Sequence, residues 1–160
     1  MYTSTMETSD RDLILKKLYD AFGSVEKPSP LVTYDGAYRP DEVDLFNDTD
    51  WERATYSDVV EGMEGMIICP PTTKVYLLPR LFRMVLLRQH GTSHEAADNL
   101  SMYLEAWPVD AEVEQLLSDG QKAAIISAWS YLDQTIYSPS GSHIGQELAE
   151  HWQTEQGCAT

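Results

Sequence analysis

Positive charge is what this chain has least of. It carries 11 Lys and Arg against 26 Asp and Glu, a formal net charge of −15. That balance repels phosphate backbones and anionic membranes, so nucleic acid and acidic lipid are poor partners and cationic proteins good ones. Long hydrophobic runs are also missing. No stretch approaches the roughly 20 apolar residues that a membrane-spanning helix needs. The opening MYTSTMETSDRDL has no apolar core of a secretory leader, so a cytoplasmic protein is expected. Cysteine is scarce: Cys69 and Cys158 make no CxxC pair and no metal-ligand spacing, which fits a reduced compartment. Enzyme signatures are absent as well. There is no G-x-S-x-G, no H-E-x-x-H, no phosphate loop and no GxGxxG, so neither catalytic residues nor a cofactor are expected.

Hydrophobic residues make up 42% of the chain, with four Trp and nine Tyr, which a disordered polymer would not carry. A length of 160 residues suits one domain with a proper core. We read residues 9–153 as that domain, with flexible ends at 1–8 and 154–160. The charge is unevenly spread. Residues 1–64 hold 15 acids and six bases, and residues 92–160 hold 11 acids and one base, Lys122. Between them Gly65 to Gly91 holds no acid and four bases. Wound as a helix from about 74 to 90, this stretch is apolar almost all round, the mark of a buried element. The expected fold is an all-α, single-domain bundle of six to eight helices around that central helix.

Taken in order, Ser9 can cap a first helix whose apolar face holds Leu13, Ile14, Leu18 and Phe22. Lys27-Pro28-Ser29-Pro30 breaks regular structure, and Leu31 to Gly36 reads as loop. Pro40 opens a short helix to Phe46. Ser57 can cap another, with Val59, Val60 and Met63 inward, and Gly65 and Pro70-Pro71 close that segment. Thr72 or Thr73 is the expected cap of the central helix, which Pro79 should kink or shorten. Gly91 ends it and Ser93 caps the next, which Pro108 stops. Val113, Leu116 and Leu117 point inward from a short acidic helix. Ser118 and Gln121 form a capping box for a long helix to about Tyr137. Ser138-Pro139-Ser140-Gly141 is a loop before a last helix, residues 142 to about 153.

Three landmarks carry a resemblance. Asp50-Trp51 is followed by Tyr76-Leu77-Leu78-Pro79-Arg80-Leu81 and then by Leu117-Ser118-Asp119-Gly120-Gln121 running to Tyr131-Leu132. This DW…YxLPxL…LSxxQ order resembles a small bacterial family of uncharacterised helical proteins. The resemblance implies a helical fold and no catalytic residues. In size, acidity and helical content the chain also looks like the immunity proteins that neutralise interbacterial toxins.

The site expectations follow from charge. Asp41, Glu42, Asp44, Asp48 and Asp50 form one candidate partner-binding patch, and Glu105, Asp110, Glu112 and Glu114 a second. Tyr34, Tyr38 and Tyr56, in acidic surroundings, suit surface anchoring. Arg80 and Arg83 lie on the otherwise apolar helix. A buried arginine needs a partner, so internal ion pairs are expected there. His143, Glu147 and His151 repeat at helical spacing, but drift by about 80° around the axis, so that one ion could readily use only two of them, and no metal is expected. His90 and His94 fit the electronegative end of a helix. Together these point to an immunity or inhibitor protein that occludes a basic toxin effector, for example a nuclease, whose active cleft is basic. The rivals are an acidic, DNA-mimicking regulator of a host DNA-binding protein, and a ligand-binding protein or enzyme with a pocket near Arg80. The oligomeric state is left open.

Overall fold

The computed structural model describes the backbone of residues 2–87, 94–137 and 141–158, and the side chains of residues 10–87, 99–137 and 141–153. Among the described residues the chain is all-α, with nine α-helices, one 3-10 turn and no strand. The helices gather in two compact units, residues 23–116 and residues 1–22 with 117–160. The first boundary is followed by Gly23-Ser24 and Lys27-Pro28-Ser29-Pro30, a break in regular structure, whereas the second falls between Leu116 and Leu117 with no such stretch.

The larger unit holds α2 (Pro40–Asp48), α3 (Tyr56–Glu61), α4 (Met63–Ile68), α5 (Pro71–Leu87), α6 (His94–Ala106), the 3-10 turn Trp107–Val109 and α7 (Ala111–Glu114). Its core is α5. Leu77, Leu78, Leu81 and Phe82 are wholly buried, and so nearly are Val75, Tyr76, Met84, Val85 and Leu86. The helix begins at Pro71 rather than at a threonine cap. Lys74 N–H bonds the Pro70 carbonyl at 3.1 Å, and proline at the first position loses no hydrogen bond there. Pro79 lies inside the helix, which continues through it to Leu87. Thr73 is buried and donates its hydroxyl to the Leu31 carbonyl at 2.5 Å, tying the 31–39 loop to α5.

Two other boundaries differ from expectation. Thr55, not Ser57, starts α3: its N–H donates to Asp58 Oδ2 at 2.8 Å, the return half of a capping box. Gly65 does not end a helix but sits within α4, where Phe46 of α2 presses on it. A Cβ there would lie 2.2 Å from Phe46 Cγ. Phe46 in turn packs against Trp51 at 4.9 Å, and Trp51 Nε1–H donates to the Phe46 carbonyl at 3.1 Å.

The smaller unit packs α8 (Asp119–Gln134) against both α1 (Tyr2–Ala21) and α9 (Ile144–Cys158). Leu18 and Phe22 from α1 and its exit, Ile125, Ala128, Trp129 and Leu132 from α8, and Leu148 and Trp152 from α9 are buried. The Ser118–Gln121 capping box is present, with Gln121 N–H on Ser118 Oγ at 3.1 Å and Ser118 N–H on Gln121 Oε1 at 2.9 Å. Gln121 Nε2 also reaches the Ala21 carbonyl at 3.2 Å, closing the end of α1. At the other end Asp133 accepts from Ser142 Oγ and, at 2.9 Å, from Gly145 N–H, so it satisfies the opening of α9.

Ser9 lies inside α1, which already runs from Tyr2, since nothing between them breaks a helix. Three expected core residues are exposed: Leu13, Val60 and Leu116. Leu13 stands five positions before Leu18, about 140° away around the helix. Val60 follows the buried Val59 on a helix of only six residues, and Leu116 falls beyond the end of α7. The expected stop at Gly91, the cap at Ser93, His90, the His94 side chain and the loop at Ser138–Pro139–Ser140 lie outside the described residues.

The Phe46–Gly65 contact is testable. Gly65→Ala should cost about 1–3 kcal/mol, because the methyl must displace a buried ring. Gly120→Ala, whose Cβ would meet only Ser118 Oγ at 3.9 Å, should be neutral or gain up to ~1 kcal/mol. Urea midpoints at constant slope measure both.

Candidate functional site

The site is built on a turn. The chain leaves α2 at Asp48 and reverses over 50–53, where Arg53 N–H bonds the Asp50 carbonyl at 3.0 Å, before α3 begins at Tyr56. Trp51, 1% exposed, roots this turn in the core. Two arginines of α5 hold it from beneath. Arg80 Nε donates to Glu52 Oε1 at 2.7 Å, and its Nη2 makes a second, very close contact with the same oxygen. Its Nη1 donates to the Tyr76 carbonyl at 2.7 Å, and its guanidinium lies 3.8 Å from the Tyr76 ring centroid. Arg83, 8% exposed, donates Nη1 to the Glu52 carbonyl and Nη2 to the Ala54 carbonyl at 2.9 Å. Arg80 therefore has the carboxylate partner that a buried cation requires. Arg83 meets backbone carbonyls where an ion pair was expected, because the turn presents its main chain, not an acidic side chain, to that position.

Above the turn lies an open groove of about 380 Å³, lined by Leu45, Asp48, Thr49, Asp50, Arg53, Asp58 and Glu61. Four carboxylates face one guanidinium, and that of Arg53 is 4.0 Å from Asp50 and almost fully exposed. Two of these carboxylates are partly committed: Asp50 Oδ1 accepts the Glu52 N–H at 3.1 Å, and Asp58 caps α3. Asp48 and Glu61 each close a helix and are exposed.

The first predicted patch thus divides. Asp48 and Asp50 enter the groove, and Asp41 is exposed in the first turn of α2. Asp44 is exposed and accepts the Tyr34 hydroxyl, a bond that raises the Tyr34 pKa. Glu42 turns inward, pairing with Arg39 at 3.0 Å and accepting the Glu64 N–H at 3.2 Å. In the second patch Glu105 and Glu112 are exposed, while Glu114 is only partly so. Asp110 is spent on structure: it caps α7 through the Glu112 N–H at 3.0 Å and lies 3.8 Å from Lys74. Asp58 and Glu61 belong to the groove and were not singled out from sequence. Their i, i+3 spacing after the Asp48–Asp50 pair was the available signal.

Other candidates do not converge. Among the described residues no three His, Cys, Asp or Glu side chains could share a metal ion, His143, Glu147 and His151 included. Among them, too, no helix is long and apolar enough to cross a membrane. Tyr56 accepts a hydrogen bond from Asn99 at 2.6 Å. Burial raises the pKa of Tyr76 and Tyr103, and pushes that of the Cys69 thiol up to about 12.

No family model, curated protein or solved structure matches the chain. Function must therefore be argued from this geometry.

Two outcomes test the site's foundations. Arg83→Ala should destabilise by about 1–3 kcal/mol by orphaning buried carbonyls. Arg80→Ala should cost less, since Glu52 is half exposed and solvent screens the pair. Melts of the two variants check the order. Separately, a thiol whose folded pKa is raised contributes stability below its unfolded pKa and loses it above. In a Cys158→Ser background, stability should fall between pH 9 and about 12, and alkylation of Cys69 at pH 8 should proceed only through unfolding.

Proposed function

We propose that this chain is a cytoplasmic inhibitor of the immunity-protein type, which binds and occludes a basic toxin effector. The observation that carries the reading is the groove over the 50–53 turn, where Asp48, Asp50, Asp58 and Glu61 surround the half-exposed Leu45. Carboxylates arranged around an apolar centre substitute for the phosphates of a nucleic-acid substrate, and they steer a cationic cleft toward themselves. The turn's anchoring by Trp51, Arg80 and Arg83 supports this reading, since a surface already ordered loses little entropy on binding. The resemblance to a bacterial family without catalytic residues agrees with it. The acidic groove equally suits a mimic of DNA, and the partner's identity separates the two.

The test begins with affinity capture from the native lysate at low and high salt, read by mass spectrometry. One stoichiometric basic toxin, weakened by salt, is expected. A general host DNA-binding protein in its place would make the chain a DNA mimic. Asp48→Lys with Glu61→Lys should then slow association by at least about tenfold at low salt without lowering Tm. Both residues sit at helix C-termini, where a cation suits the helix dipole. Absence of any basic partner, or an association rate untouched by the charge reversal, would refute the reading.

A further inference from the structure

One aromatic side chain gains nothing from the fold. Tyr38 is 92% exposed, against 67% for Met102, the next most exposed of the large apolar residues described. Its backbone is nonetheless fixed. Tyr38 N–H donates to Glu64 Oε1 at 2.7 Å, and Glu64 is itself buried. The rest of its loop is fastened as well. Val32 exchanges two hydrogen bonds with the Asn47 side chain, at 3.0 and 2.9 Å, and Leu31 is held by Thr73. Ala37 N–H closes a turn on the Tyr34 carbonyl at 3.0 Å, with Gly36 in the left-handed region at φ +79°. The Tyr34 hydroxyl, donating to Asp44, ties the loop to the outer face of α2.

That face connects Tyr38 to the groove. Asp41, Asp44, Leu45 and Asp48 recur at i, i+3, i+4 and i+7 on α2 and are all exposed, so they form one stripe. At its N-terminal end stands the loop of Tyr38, and at its C-terminal end the groove opens at Leu45 and Asp48. An aromatic ring on an ordered backbone, beside carboxylates, has what an interface hot spot needs: large contact area at low conformational cost.

We propose that Tyr38 is the anchor of the partner-binding surface, inserting into an apolar pocket of a basic protein whose rim carries Arg or Lys for Asp41, Asp44 and Asp48. This rests on the reading of the acidic surface as a binding face, and adds to it a contact that salt does not screen.

The experiment pans a phage-displayed library of disulphide-closed peptides on the full chain at near-physiological salt. Selected clones are then measured against Tyr38→Ala, Tyr38→Phe and Met102→Ala. The ring is solvent-exposed and the Glu64 bond is to backbone, so all three variants should keep the parent Tm. The expected clones combine Arg or Lys with apolar residues. They lose at least about tenfold in affinity on Tyr38→Ala, mostly as faster dissociation, and keep it on Tyr38→Phe and Met102→Ala. Basic clones indifferent to Tyr38→Ala would overturn the anchor while leaving the acidic reading in place. Clones dependent on Tyr38 but without excess Arg or Lys would overturn the basic partner. No enriched clone at all would overturn the surface as a docking site.

Discussion

The contact on which the candidate surface depends is the one between two arginines of a buried helix and a turn, Arg80 through the Glu52 carboxylate and Arg83 through the main chain. Arg80 and Arg83 are cations in the stretch 77–87 of α5, otherwise made of Leu, Pro, Phe, Met and Val, and removing them from water is costly. The cost is offset because the 50–55 segment brings them Glu52 and the carbonyls of Glu52 and Ala54. The turn has no regular secondary structure to satisfy those carbonyls. Helix and turn thus complete each other, and the acidic residues on the outer side of the turn inherit its order.

This arrangement explains how a chain so rich in carboxylates keeps a defined acidic face. Carboxylates repel one another, and a loop carrying several would open if nothing held it. Here the holding groups are apart from the displayed ones. Trp51, Arg80 and Arg83 act from below, Asn47 and Glu64 fasten the neighbouring loop, and the exposed groups are Asp41, Asp44, Asp48, Asp50 and Glu61. Some acids serve structure instead. Glu42, Glu64, Asp110 and Asp133 accept hydrogen bonds that fasten loops or helix ends.

The helical class and the buried α5 were legible in the sequence, because an apolar stretch without acids leaves few alternatives. The Ser118–Gln121 cap was legible too, being a local pattern. What local patterns could not supply was pairing. Gly65 reads as a helix stop until Phe46 is known to lie on it. Arg83 reads as half of an ion pair until the turn is known to face it with carbonyls. Glu42 and Asp44, two positions apart, read alike as surface acids, yet one points into the fold and the other out. Tyr38 was recognisable as a surface aromatic, but the fastening of its backbone by Glu64, 26 positions away, was not.

The discontinuity of the smaller unit bears on how the protein is made. Its first helix, α1, is complete by Ala21, whereas α8, against which it packs, ends only at Gln134. A chain emerging from the ribosome therefore finishes the whole of residues 23–116 while α1 still lacks its neighbour. Leu18 and Phe22 stay uncovered through that interval. The larger unit can condense first, and the smaller one waits until α8 has been made.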